Sequence, residues 1–154
     1  MGEDNMPQSG VESCLSSCIE ETDRPIFALQ DRGTGRHATV RVESRKCQKI
    51  RVDGCLCDIA TSKCDWCIRD STTGECLFVE LKGNDCSHAA EQIINTIRWF
   101  RQKINPFIPH KYAYIIAKSG IPKLHSKKQI AMARLAKQES ILLRCGHSGI
   151  ELPF

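Results

Sequence analysis

Residues 63–83 read KCDWCIRDSTTGECLFVELKG, and this stretch predicts a β-hairpin around which the rest of the chain is organised. An aromatic and β-branched run, Asp65 to Ile68, comes first, and the turn cluster Ser71 to Gly74 follows it. Such runs favour strands, and Ser, Thr and Gly favour the turn between them. The second apolar run, Cys76 to Leu81, is long enough for a buried strand.

Two carboxylates and a lysine are expected to meet at the end of this hairpin. Side chains alternate across a strand, so Glu80 and Lys82 lie on one face, and the paired strand can bring Asp65 close to them. Two carboxylates can hold Mg²⁺ through oxygen ligands, and the metal then polarises a phosphoryl oxygen and activates water. A lysine beside it can orient the water or stabilise charge on the phosphate. The alternative is a surface Glu/Lys pair on an amphipathic strand.

The same residues resemble a known nuclease signature. Asp65 followed by Glu80-Leu81-Lys82 is similar to the D…ExK pattern of the PD-(D/E)xK superfamily, whose fold is also called restriction-endonuclease-like. One departure is Cys64, which stands where the signature has proline. The resemblance covers roughly residues 49–118. It implies a metal-dependent nuclease that hydrolyses phosphodiester bonds of nucleic acid, with DNA as the expected substrate.

The resemblance also implies a role for each residue of the motif. Asp65 and Glu80 are expected to bind Mg²⁺ or Mn²⁺, with the Leu81 carbonyl as a further ligand. Lys82 is expected to orient or activate the attacking water. The helix expected from position 87 onward is similar to the helix behind the site in archaeal-type Holliday-junction resolvases. Gln92 on its inward face could hydrogen-bond to Lys82 or a water at the metal, or could satisfy a buried backbone group.

Composition is that of an ordinary soluble globular protein. The chain has 154 residues, of which 26% are charged and 41% hydrophobic, so it can build one domain with a real core. No apolar run approaches the length of a membrane span, and the polar, acidic N-terminus is no signal peptide. We therefore expect a cytoplasmic protein with no membrane partner.

Charge is distributed unevenly along the chain. Residues 1–97 hold 11 Lys and Arg against 16 Asp and Glu, whereas residues 98–154 hold 11 against 2. A basic half beside a carboxylate-bearing half suits an enzyme that grips a polyanion, although a solvated basic face with no partner is the alternative. The residues expected to contact phosphates are Lys49, Arg51, Lys118, Lys123, Lys127 and Lys128. Cutting both strands of a duplex would favour a homodimer.

Ten cysteines admit more than one interpretation. In a cytoplasmic chain, thiols or metal ligands are expected in preference to disulfides. Several read as small buried hydrophobes. Cys55-x-Cys57 followed by Cys64-x-x-Cys67 has a spacing that could form a four-thiolate zinc site. Against this, Cys64 and Cys67 fall on the same expected strand as Asp65, on opposite faces if that strand is regular.

The remaining patterns predict the order of elements. Apolar periodicity favours a helix at 11–19, strands at 38–43 and 49–56, the hairpin, a helix at 87–104, a strand at 112–117, a helix at 127–139 and a strand at 141–144. Asp53-Gly54 is expected to form a turn, with Asp53 as a reserve metal ligand. We expect residues 1–10 to be disordered and residues 11–154 to form a single nuclease domain, an α/β fold with a restriction-endonuclease-like central mixed β-sheet flanked by helices.

Two functions from other classes remain open on the sequence. One is a regulatory protein that binds nucleic acid or protein on the same fold without catalysis. The other is a module stabilised by zinc on its cysteines. Retention of all three residues Asp65, Glu80 and Lys82 favours the nuclease over the first alternative, and metal analysis would separate the second.

Overall fold

The computed structural model describes residues 8–31, 33–56, 62–81, 86–109, 111–117, 127–138 and 141–154. Within these ranges, helices and strands alternate in an α/β arrangement. In chain order the elements are α1 (Gln8–Ser17), β1 (Ile19–Thr22), β2 (Ile26–Gln30), β3 (His37–Arg41), β4 (Cys47–Arg51), β5 (Trp66–Asp70), β6 (Cys76–Glu80), α2 (Cys86–Lys103), β7 (Lys111–Ala117), α3 (Lys127–Gln138), β8 (Ile141–His147) and β9 (Glu151–Pro153).

Six strands form the central sheet in the order β1-β4-β5-β6-β7-β8. The pairs from β1 to β6 are antiparallel, whereas β7 pairs in parallel with both β6 and β8. A parallel pair needs a crossover connection, and α2 and α3 lie in the two crossovers. The predicted mixed sheet with helices is therefore confirmed at the level of an α/β fold.

β6 lies in the middle of this sheet and is buried on both faces. Phe78 packs in the apolar cluster that α1, α2 and α3 share, whereas Leu77 and Val79 pack in a second cluster on the other side. Every residue of the strand is buried. Because both faces are covered, the sequence of β6 reads as a nearly continuous apolar run.

A smaller three-stranded sheet, β2-β3-β9, covers the second face. Its buried residues Phe27, Val40 and Leu152 belong to the same cluster as Val79. The sequence predicts only a glycine-rich tail after β8, but β9 pairs in parallel with β3. The described helices pack on one face of the central sheet, and a sheet, not a helix, packs on the other.

The hairpin at the centre of the sequence prediction is confirmed. Trp66 pairs with Val79, and the turn closes with a hydrogen bond from the Gly74 N–H to the Asp70 carbonyl, 2.9 Å from N to O. Gly74 has a φ of +77°, a conformation that glycine adopts without steric cost. Arg45 reaches the Asp70 carboxylate from the loop before β4, with Nε 2.8 Å from Oδ2.

Several boundaries differ from the sequence prediction. α1 begins at Gln8, so residues 8–10 are helical and not disordered, while residues 1–7 lie outside the described part of the chain. Strands β1 and β2 were not predicted. The predicted Asp53-Gly54 turn is confirmed, since both residues lie in a turn after β4 and Gly54 has a φ of +81°.

Two cysteines form a disulfide, which corrects the expectation that the cysteines are thiols or metal ligands. Cys18, directly after α1, is bonded to Cys55, in the turn after β4. Cys64 and Cys67 are free thiols buried in the core. Cys55 is therefore paired with α1 and does not join Cys64 and Cys67 in a thiolate group, and Cys57 lies outside the described residues.

Among the residues that the structure describes, no helix is long and apolar enough to cross a membrane. The cytoplasmic location stays a prediction. The disulfide bears on it, because disulfides persist mainly in oxidising compartments.

Candidate functional site

Asp65 and Glu80 face each other at one end of the hairpin. Trp66 pairs with Val79 in antiparallel register, so the next position outward sets Asp65 opposite Glu80. Side chains alternate along strands, so both carboxylates lie on the same side as Cys67 and Phe78, which is the side covered by the helices. The predicted convergence of the two carboxylates is confirmed at the level of strand register and face.

The two carboxylates differ in exposure. Glu80 is completely buried, with 0% of its surface exposed, whereas Asp65 is half-buried. Their charges reach the neighbouring thiol: burial raises the pKa of Cys64 well above its usual value, and the Glu80 and Asp65 carboxylates raise it further. One acidic group is thus sealed inside the protein, and the other stands between the interior and solvent.

A hydrogen bond from the backbone of β6 holds Asp65 in place. The Leu81 N–H donates to Oδ2 of Asp65, with 2.8 Å between N and O. This contact ties the side chain that precedes β5 to the residue that follows β6. Of the two carboxylate oxygens it uses Oδ2, so Oδ1 can serve as a ligand without breaking the contact.

Side chains of α2 hold the segment that leads into Asp65. The amide Nε2 of Gln92 donates to the carbonyl of Lys63 (3.3 Å), and Nδ2 of Asn95 donates to the carbonyl of Ser62 (3.2 Å). The N–H of Cys64 donates to Oγ1 of Thr96 (3.0 Å), whose hydroxyl donates to the Gln92 carbonyl (2.8 Å). Gln92 therefore satisfies a buried backbone group, which was one of its predicted roles.

Arg36 is a cation at this site that sequence reasoning missed. It lies just before β3, in the layer of the three-stranded sheet, and only 8% of its surface is exposed. Its Nη1 donates to the Leu81 carbonyl at 3.3 Å. This is the carbonyl predicted as a metal ligand. A carbonyl oxygen has two lone pairs, so it can accept both partners, but a guanidinium nearby opposes binding of a second cation there.

The structure offers less on the predicted lysines. Lys82, Lys118 and Lys123 lie outside the described residues. Lys127 and Lys128 form the first turn of α3, and their side chains are outside the description as well. Their predicted roles at the phosphate and with the attacking water therefore stay predictions.

Lys49 and Arg51 lie on the opposite face of the sheet from the carboxylates. They pair with Ile68 and Trp66, which belong to the cluster under the three-stranded sheet. Lys49 Nζ and the Arg51 guanidinium lie over the Trp66 ring, at 4.6 and 5.2 Å from its centroid. Both also form ion pairs with acidic residues of β1, Arg51 with Glu20 at 2.8 Å and Lys49 with Glu20 and Glu21 at 3.8 and 3.7 Å. The structure does not bring these two cations to the carboxylate site.

The residues that the prediction missed left unequal traces in the sequence. Thr96 is a polar residue inside the apolar stripe of α2, and a buried hydroxyl of this kind needs a partner, so its role could have been inferred. Arg36 follows a glycine-rich loop, and nothing local indicates that it reaches a residue 45 positions away. The comparison with protein-family models, with curated proteins and with solved structures finds no match for this chain.

Proposed function

We propose that this protein is a metal-dependent nuclease of the PD-(D/E)xK type that hydrolyses phosphodiester bonds of nucleic acid, with DNA as the substrate. The observation that carries the proposal is the placement of Asp65 opposite Glu80 on the helix-covered side of adjacent antiparallel strands. The order of hairpin, helix and parallel strand, from β5 through α2 to β7, supports a restriction-endonuclease-like fold.

The residues present fit a hard divalent cation. Asp65 and Glu80 supply carboxylate oxygens, the ligand type that Mg²⁺ and Mn²⁺ take. A completely buried carboxylate such as Glu80 costs free energy unless a positive charge compensates it. A cation shared with the half-buried Asp65 would meet that need while remaining accessible to substrate. When bound there, Mg²⁺ would polarise a phosphoryl oxygen and lower the pKa of a water ligand.

The side chains around the carboxylates divide the remaining work. Lys82 follows Glu80 by two positions, so in an extended strand its ammonium projects from the same face and can orient the attacking water. Gln92 and Thr96 are positioning residues, because they hold the backbone that leads into Asp65. Arg36 positions the Leu81 carbonyl, so we assign the metal to the two carboxylates first.

Nucleic acid would be held by the basic second half of the chain. The loop and helix from Lys118 to Lys128 follow β7 directly, and β7 is the parallel neighbour of β6. Lys49 and Arg51 are excluded from this surface, because they lie on the opposite face in ion pairs with Glu20 and Glu21. Phosphate contacts give affinity with little sequence preference, so cleavage should be weakly sequence-dependent.

The test is cleavage of a panel of substrates: plasmid, linear duplex, single-stranded and junction DNA, and the matching RNA, each with Mg²⁺, with Mn²⁺ and with chelator. We expect metal-dependent cleavage by the unmodified protein and none by Glu80→Gln. Glu75→Gln is the matched control, because Glu75 lies at the turn end of the same hairpin and pairs with Arg45. Binding to the panel without cleavage in any metal would overturn the nuclease proposal and favour a non-catalytic binding protein.

A further inference from the structure

Four sulfur atoms gather beside α1. Cys14 and Cys18 are four residues apart, which places their side chains on one face of the helix, with Cβ atoms about 5–6 Å apart. Cys18 is bonded to Cys55, with 5.7 Å between the Cα atoms, and Cys14 is disulfide-bonded as well. Two adjacent helical positions therefore each carry a second sulfur.

We propose that the reduced form of this cluster binds one Zn²⁺ ion as thiolates, with Cys14, Cys18 and Cys55 among its ligands. Zn–S bonds are about 2.3 Å in tetrahedral sites, so sulfurs sharing one ion stand about 3.8 Å apart. Bonded sulfur pairs reach that spacing by separating about 2 Å, which side-chain rotation can supply. Four soft sulfur ligands in a tetrahedral set select zinc among the common divalent cations.

The proposed change balances chemically. A dithiol reductant gives two electrons and two protons to each disulfide, which becomes two thiols, while the reductant becomes a disulfide. Binding of Zn²⁺ then displaces the thiol protons to solvent, because only thiolates ligate the ion. In a reducing compartment the disulfides do not persist, and the same sulfurs can then join α1 to the turn after β4 through the metal.

The surroundings suit a structural metal better than an exposed redox pair. Cys18 is 1% exposed, and both Cys14 and Cys55 pack against the apolar cluster under the helices. The Ser17 hydroxyl lies 4.0 Å from the Cys18 sulfur, and the Cys55 sulfur lies 3.9 Å from the Ser17 carbonyl. Polar groups around the sulfurs orient the ligands of a metal site. This site differs from the grouping of Cys55 with Cys64 and Cys67, because the latter two are separate buried thiols.

The experiment measures zinc and free thiols in the full chain. Protein reduced with a dithiol, loaded with ZnCl₂ and desalted is analysed for metal, beside protein kept oxidised. We expect one zinc per chain in the reduced form and loss of that zinc after oxidation. Replacing zinc by Co²⁺ should give the sulfur-to-cobalt charge-transfer absorption of a thiolate site. Folded, reduced protein that retains no zinc would overturn the proposal, whatever its activity on nucleic acid.

Variants locate the ligands. Cys18→Ser and Cys55→Ser should each lose the bound zinc, and Cys14→Ser tests a half-buried ligand with less risk to folding. Cys47→Ser is the matched control, because Cys47 is a buried free thiol in the other apolar cluster and should retain zinc. Equal zinc loss in Cys47→Ser would place the metal elsewhere. Because none of these residues touches the carboxylates, this result is independent of the proposed nuclease activity.

Discussion

Asp65 accepts a hydrogen bond from the Leu81 backbone N–H, with 2.8 Å between Oδ2 and N. The residue that enters β5 is thereby tied to the residue that leaves β6, and Glu80 stands directly before this contact. The geometry links the accessible carboxylate to the buried one through the backbone. Changes at either carboxylate should therefore act on the same metal.

Glu80→Ala should abolish metal binding and lower cleavage by at least about 10²–10³-fold, the usual loss when a charge-stabilising group is removed. Nucleic-acid binding should persist or tighten, because a negative charge near the phosphate is lost. Calorimetric titration with Mn²⁺ and fluorescence anisotropy with labelled DNA measure the two effects. Unchanged Mn²⁺ affinity in the variant would remove Glu80 from the metal site.

Lys82→Ala should separate the water-orienting role from metal binding. Mn²⁺ affinity should be retained or rise, since a nearby positive charge opposes cation binding, while the cleavage rate falls by about 10²–10³-fold. Lys82→Arg should recover little activity, because a planar guanidinium does not replace a compact ammonium. Normal cleavage by Lys82→Ala would defeat the nuclease proposal.

Thr96→Val should act on the site through Asp65. The substitution keeps the shape of the side chain but leaves the buried Cys64 N–H without its acceptor, at a cost of about 1–3 kcal/mol in the free energy of unfolding. Displacement of the adjacent Asp65 should weaken Mn²⁺ binding. Asn95→Ala, which removes a more exposed contact to Ser62, is the comparison. Equal Mn²⁺ affinity in Thr96→Val and the unmodified protein would argue against a positioning role for Thr96.

The buried Asp70 should make the hairpin acid-sensitive. Burial alone would raise the pKa of Asp70, but hydrogen bonds from Arg45 and from the N–H groups of Thr73 and Thr72 outweigh it and lower the pKa from 3.8. The stabilisation is complete above the unfolded pKa and is lost as pH falls through the lowered folded pKa. Denaturant unfolding between pH 7 and the acid range measures it.

Arg45→Met is the matched variant for that pH dependence. The free energy of unfolding at neutral pH should fall by about 1–3 kcal/mol, because a buried carboxylate loses a charged partner. The loss on acidification should become smaller or reverse, since burial then acts on the Asp70 pKa with less opposition. An acid loss as steep as that of the unmodified protein would assign it to other carboxylates.

Reversing Lys127 and Lys128 to Glu should weaken DNA binding to a similar degree across sequences and reduce its dependence on salt, because phosphate contacts release counterions. Arg51→Gln is the control on the opposite face, where Arg51 pairs with Glu20. Its affinity and salt slope should match those of the unmodified protein. A larger loss in Arg51→Gln than in the α3 variant would move the nucleic-acid surface to the other face.

Local patterns in the sequence determined the elements and the carboxylate pair. The hairpin, α2 and β7 were predicted with boundaries close to those observed, and β7 does lie inside the sheet as its continuous apolar run indicated. These features are encoded within a few residues, through alternation, helical spacing and turn residues. Register across one short hairpin then places Asp65 opposite Glu80, so this part of the site was also predictable.

Only the tertiary structure decided which distant residues share a surface. Arg36 reaches Leu81 across 45 positions, Cys18 is bonded to Cys55 across 37, and β9 pairs with β3 at the far end of the chain. Lys49 and Arg51 read as basic residues near the hairpin, yet the register of β4 turns them to the opposite face. A shift of one residue in register would reverse that choice, and pairing register depends on packing across the whole sheet, which no local pattern contains.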